Sequence, residues 1–200
     1  MEEYSSTNKI DYYNSDEAFN ELYPLHIQEL STLHWTPIHI VKKVIEFLAG
    51  SDGEKILDIG SGVGKFCLVG AHFAANSFFY GVEQRENLIQ DAQTAQKILG
   101  IKNVAFIHGN FTQLDLSTYD HFYFYNSFYE NLDDVERIDR KIDYSESLYD
   151  YYDMQLYKGL QQMPVGTKVA TYHTMPNIMP NGYEVVASYQ SGDLTFWIKR

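Results

Sequence analysis

Apolar and polar positions alternate along this chain in two successive rhythms. Residues 1–14 are polar and read as an arm, and residues 16–22 suit a short helix ended by Pro24. Ile38, Val41, Ile45 and Leu48 then recur at the helical period, which gathers them on one face. Thr36 stands where a helix cap belongs, Pro37 fits the first turn, and Gly50 supplies the stop. From Lys55 the rhythm changes to short apolar runs at Lys55–Ile59, Phe78–Glu83, Val104–His108 and His121–Tyr125. Helical patterns over 65–75 and through Leu88, Ala92, Ala95 and Leu99 separate the first three. Strands alternating with helices imply right-handed crossovers and a mostly parallel sheet.

Residues 131–162 are rich in charge and tyrosine and suit one or two helices before Pro164. A fifth strand is expected at 167–171, and residues 183–189 and 194–198 alternate around Ser191-Gly192 as an antiparallel hairpin. The pattern therefore predicts an α/β fold: a single three-layer domain with a mostly parallel, twisted seven-stranded sheet. Its C-terminal hairpin is antiparallel and helices cover both faces. Residues 1–34 are expected to form an N-terminal arm with a short helix, and 35–200 the domain proper.

Composition narrows the function. The 27 acidic and 15 basic residues give a formal net charge of −12, a field that repels a phosphate backbone and argues against a nucleic-acid partner. Aromatic residues reach 16%, with 17 tyrosines, whose rings pack while their hydroxyls seek partners. One cysteine, Cys67, excludes an intramolecular disulfide and suits a reducing compartment. The acidic start of the chain differs from a signal peptide, and no apolar run is long enough to cross a bilayer, so a cytoplasmic protein is expected. His34 and His39 lie five apart, no histidine forms a ligand spacing with neighbouring acids, and no metal is expected. His121 and His173, at strand ends, are placed where a base near neutral pH could act.

The informative segment runs from Asp58 through Ile59-Gly60-Ser61-Gly62-Val63-Gly64 to Lys65-Phe66. Glycines between a strand and a helix let backbone approach a ligand at the carboxyl edge of a sheet. A phosphate-binding loop would need glycine at Ile59 and a hydroxyl at Phe66, and the dinucleotide fingerprint would need glycine or alanine at Lys65. Asp58 at the mouth of the turn also suits a cationic ligand better than a pyrophosphate. Glu83, ending the second strand, stands where a carboxylate can accept both hydroxyls of a ribose.

These segments, with Gly81-Val82-Glu83 and His108-Gly109-Asn110-Phe111, resemble the first three motifs of class I S-adenosylmethionine-dependent methyltransferases. The resemblance runs in strand order from residue 36 to 200. It implies S-adenosylmethionine as cofactor, with Asp58, Gly60, Ser61, Gly62 and Gly64 around the methionine part. Glu83 and Gln84 would take the ribose side, Asn110 and Phe111 would flank the adenine, and Trp35 and Thr36 would close the far side. Many relatives carry aspartate where Asn110 stands. Asn126, Phe128 and Tyr129 resemble the acceptor-side motif of amine methyltransferases without its two prolines, and also the Asn-Asn-Phe of non-SET lysine methyltransferases. On that likeness Asn126 orients the acceptor or touches the methionine, and Phe128 and Tyr129 are walls. Residues 131–162 occupy the place of a substrate lid. The acceptor is expected to be a small molecule or a protein; the sequence does not choose its atom, and nitrogen is one candidate. Two alternatives stand beside this reading: a non-catalytic partner subunit that keeps the cofactor site, and an NAD-dependent oxidoreductase with a degenerate fingerprint.

Overall fold

Seven strands form in chain order: β1 (Lys55–Ile59), β2 (Phe78–Glu83), β3 (Val104–His108), β4 (His121–Tyr125), β5 (Lys168–Tyr172), β6 (Tyr183–Tyr189) and β7 (Leu194–Lys199). The structure is a computed structural model and describes residues 11–132, 135–174 and 178–200. The strands pair as one sheet of order β3-β2-β1-β4-β5-β7-β6. The first five are mutually parallel, whereas β7 inserts antiparallel between β5 and β6. The expected mixed sheet with an antiparallel C-terminal hairpin is thus observed. Strand order reverses between β1 and β4, which places a crevice at their carboxyl ends.

Helices flank both faces: α4 (Ile38–Leu48), α5 (Lys65–Phe73) and α6 (Glu86–Leu99) on one, and α7 (Glu146–Gln162) on the other. The two-residue period of a strand explains the division. Ile56, Phe79 and Tyr123 join the cluster built with α4, α5 and α6. Leu57, Ile59, Val82, Phe122 and Phe124 join the cluster containing Tyr152, Leu156 and Leu160 of α7. Both faces of the central strands are therefore buried, as expected of a parallel sheet. The segment 131–162 contains one long helix, and α7 packs against the sheet.

Three short helices precede α4, namely α1 (Asp16–Asn20), α2 (Leu25–Gln28) and α3 (Ser31–His34). The last two carry no apolar periodicity of their own and were not expected. Their anchors are Phe19, Tyr23, Ile27 and Trp35, all buried in the α4/α5 cluster. The Tyr23 hydroxyl donates to the carbonyl of Val63 at 2.9 Å, fastening this segment to the glycine turn.

Thr36 is not the cap of α4. Pro37 holds that position without a side-chain bond. The Asp16 carboxylate instead accepts the Ile38 backbone N–H at 2.9 Å. Thr36 Oγ1 shares a 2.7 Å hydrogen bond with the Tyr123 hydroxyl. A buried tyrosine hydroxyl needs a partner, and the residue expected to cap the helix supplies it.

Candidate functional site

A cavity of about 450 Å³ opens where the carboxyl ends of β1 and β4 diverge. From the glycine turn it takes Gly60, Ser61, Gly62 and Val63, with Asp58 and Glu83 behind them. Its other side is formed by His34, Trp35 and Thr36, by Tyr125, Asn126 and Tyr129, and by the irregular stretch around Ile138. A smaller pocket of about 40 Å³ adjoins it, sharing Gly60, Glu83, Arg85 and Ser127, and reaches Gln84, Phe111 and Phe128.

The glycines of the turn divide their duties. Gly64 has φ +79°, and a Cβ there would lie 2.4 Å from the Phe106 ring, so this residue lets α5 start close against β3. It does not border the cavity. Gly62, at φ +52°, has nothing within 4 Å of where a Cβ would be. Its bare side faces open space that a ligand can fill. The neighbouring Ser61 hydroxyl is buried and has no hydrogen-bond partner among the described residues. A bound polar ligand would satisfy that hydroxyl.

Asp58 is 3% exposed. Burial, helped by the nearby Glu83 charge, raises its pKa to about 8 against a hydrogen bond from the Cys67 thiol. A cationic group in the cavity would offset that penalty. Glu83 holds the turn: one oxygen accepts the Gly62 N–H at 3.2 Å, and the other accepts the Arg85 N–H at 2.9 Å. Arg85 Nη1 also reaches that second oxygen at 3.4 Å, so the oxygen bonded to Gly62 is the one that retains acceptor capacity. Two buried carboxylates beside an open glycine suit an ammonium, a sulfonium and a pair of ribose hydroxyls, which are among the polar groups of S-adenosylmethionine.

Several expected site residues lie elsewhere than the cavity wall. The Asn110 amide donates to Gln84 Oε1 at 3.1 Å and to the Tyr152 hydroxyl at 3.0 Å, while its oxygen accepts from Thr112 N–H. Phe111 stacks on Phe128 with ring centroids 5.2 Å apart. Phe128 is buried in the α7-side cluster and reaches the smaller pocket but not the main cavity. Asn126 and Tyr129 do border the main cavity, Asn126 with a φ of +41°. His173 borders it as well, whereas His121 binds Glu54 at 3.1 Å, at the start of β4 and away from the crevice.

Two cationic residues of the site were not anticipated. Lys65, the first residue of α5, is 4% exposed and reaches Asp16 of α1 at 2.6 Å. Burial lowers its pKa, and Asp16 works in the opposite direction. Arg85 is buried among Glu83, Glu130, Asp139 and Tyr144, bonding all four. Burial opposes its charge, but Glu130 and Glu83 outweigh that and raise its pKa. Arg85 thereby ties the end of β2 to the chain that follows β4. The short distance from Glu83 was visible in the sequence, but its partners 45 to 59 residues away were not. Among the described residues no group of three or more potential metal ligands is gathered, and no helix is long and apolar enough to cross a membrane.

A family model described as a methyltransferase domain matches residues 50–191. The chain is 33% identical over 99 residues to an uncharacterized RNA methyltransferase of Caldanaerobacter subterraneus subsp. tengcongensis, covering 48% of this chain and 22% of that protein. It spans between 16% and 39% of the length of the curated relatives it matches. In fold it is similar to TrmN from Thermus thermophilus, with TM-score 0.62, 14% identity, and coverage of 87% of this chain and 52% of that one. It is also similar to the magnesium protoporphyrin IX methyltransferase of Synechocystis PCC 6803, with TM-score 0.58, 17% identity, and coverage of 96% and 95%.

Proposed function

Because the chain belongs to the methyltransferase-domain family and has the class I fold, we propose that it methylates a nitrogen of a small-molecule or protein acceptor. One observation carries the choice of S-adenosylmethionine: the open face of Gly62 lies between two buried carboxylates in a cavity at the strand-order reversal. A dinucleotide would bring its pyrophosphate against those carboxylates, at a Coulombic cost. S-adenosylmethionine supplies an electrophilic methyl group on a sulfonium. Asp58, Gly60, Ser61 and Gly62 would hold its methionine part and Glu83 its ribose. Gln84 and Phe111, in the smaller pocket, would lie on the adenine side. Asn110 would hold Gln84 through its amide, Gly64 lets α5 start close behind the turn, and Thr36 borders the cavity on the far side.

On the acceptor side, Asn126 orients the target group and Tyr129 walls it, with Phe128 backing the loop from the core. Methyl transfer is an in-line displacement governed by positioning and exclusion of water. The irregular chain around residues 135–138, rather than α7, is the part of 131–162 able to cover the acceptor. Two of the curated relatives are named for RNA. The net charge of −12 and the acid-rich cavity favour a different acceptor here. A cytoplasmic location keeps the buried Cys67 reduced.

Photolabelling with methyl-tritiated S-adenosylmethionine tests the reading. Label should enter the wild-type protein, be competed by S-adenosylhomocysteine, and be lost in Glu83→Ala. Labelling that survives an excess of S-adenosylhomocysteine would refute it.

A further inference from the structure

The charges around the cavity are unevenly matched. Glu83, Glu130 and Glu136 border it beside a protonated Asp58, against Lys65 and Arg85 among the lysines and arginines of the described residues. Both cations are already committed, Lys65 to Asp16 and Arg85 to Glu83, Glu130 and Asp139. Glu136 stands at the exposed rim without an ion-pair partner among the described residues. The cavity therefore presents an excess of negative charge beside the aromatic surfaces of Trp35, Tyr125 and Tyr129. Such a wall attracts a cation through both Coulombic and cation–π forces and repels a carboxylate or phosphate.

His34 belongs to the same wall, at the end of α3. Its ring is half-buried and has no hydrogen-bond partner among the described residues. Burial holds its pKa below the ordinary imidazole value. Glu130 and Glu136 pull it upward, and Arg85 pushes it down. The imidazole is thus neutral near physiological pH and able to accept a proton where it lines the cavity.

We propose that the acceptor is a protonated amine drawn into this acid-rich, aromatic wall, and that His34 takes its proton before methylation. This rests on the methyltransferase reading and specifies its substrate class. An ammonium has no lone pair with which to attack a methyl carbon. Transfer of one N–H proton to the imidazole leaves a neutral amine and an imidazolium, so charge and protons balance. The imidazolium later returns its proton to solvent at the cavity mouth. Glu136 and Glu130 favour entry of the cation, and the imidazole removes the proton that entry required.

The test uses the full chain saturated with S-adenosylhomocysteine and three probes of similar shape: phenethylamine, phenethyl alcohol and hydrocinnamate. Near neutral pH phenethylamine should bind about tenfold more tightly than either of the others. Its affinity should fall as the pH is lowered through the His34 titration, because an imidazolium repels the ammonium. In an Asp58→Asn background, which removes the other group titrating in the cavity, His34→Gln should abolish that pH response. Glu136→Gln, an exposed substitution, should reduce the preference for the amine while leaving the response in place. Failure of the wild type to bind S-adenosylhomocysteine would sink the methyltransferase reading itself. Saturation with S-adenosylhomocysteine but no binding of phenethylamine would overturn this proposal alone. Equal binding of hydrocinnamate would overturn it too, as would a pH response that persists when His34→Gln is combined with Asp58→Asn.

Discussion

The two sides of the cavity are built by different means. The glycine-turn side comes from one continuous run, Asp58 to Lys65, joined to the end of the adjacent strand by the Glu83–Gly62 bond. The other side is assembled from segments far apart in sequence. Tyr125 donates to the carbonyl of Leu33 across 92 residues, Thr36 meets Tyr123 across 87, and Arg85 reaches Tyr144 across 59. Backbone pairing at neighbouring strand ends fixes the first side. The second depends on long-range side-chain bonds, of which Thr36–Tyr123 is buried and costly to break. A ligand site of the first kind suits a cofactor common to many proteins. One of the second kind can change its acceptor by changing a few partners.

Breaking the long-range side should have the largest effect on stability. Arg85→Ala would leave Glu83 and Glu130 buried without their cation, and should destabilise the fold by about 3–5 kcal/mol. Urea denaturation measures it. A loss below about 1 kcal/mol would show that the network is solvated and that the contrast between the sides is overstated.

The turn side should respond to pH. Asp58 keeps its proton in the native state up to about pH 8, against 3.8 for its ordinary value. Between those limits the folded chain binds a proton that the unfolded chain has released, so the contribution of Asp58 to stability falls as pH rises. Thermal midpoints of Asp58→Asn, compared with wild type from mildly acidic to mildly alkaline pH, should show a flatter decline. Affinity of the wild type for S-adenosylhomocysteine should rise over the same range as the carboxylate ionises to meet the ligand ammonium. An identical pH slope in the variant would mean that Asp58 is already charged.

The smallest effect is expected at Asp16, which joins the two sides by bonding both Lys65 and the start of α4. Its side chain is 37% exposed, so water screens part of the ion pair. Asp16→Ala should cost about 1–2 kcal/mol, the sum of a lost helix cap and a weakened pair. Equilibrium unfolding reads this directly, and no change would detach α1 from the site.

The contrast also explains what could be read from the sequence. The central strands were legible because each is a short apolar run buried on both faces, the C-terminal hairpin because it alternates around Ser191-Gly192, and the glycine turn because its spacing excludes two competing ligand classes. Thr36 reads as a cap because local chemistry favours that role, while the Tyr123 hydroxyl that claims it lies on a distant strand. Phe128 looks like a wall of the acceptor site, but its ring is drawn into the cluster with Phe111 and Tyr152. Lys65 carries no signal at all: a lysine at a helix start reads as solvated until an acidic partner from α1 is seen beside it. Arg85 likewise needs the fold to bring Glu130, Asp139 and Tyr144 together.

The most direct measurement of the central claim is calorimetric titration of the purified chain with S-adenosylhomocysteine, with NAD as control. Saturable binding in the micromolar range is predicted, with no comparable heat from NAD. Glu83→Ala should lose about a hundredfold in affinity as two charged hydrogen bonds disappear. A folded wild-type protein that gives no heat with S-adenosylhomocysteine, or that prefers NAD, would contradict the claim.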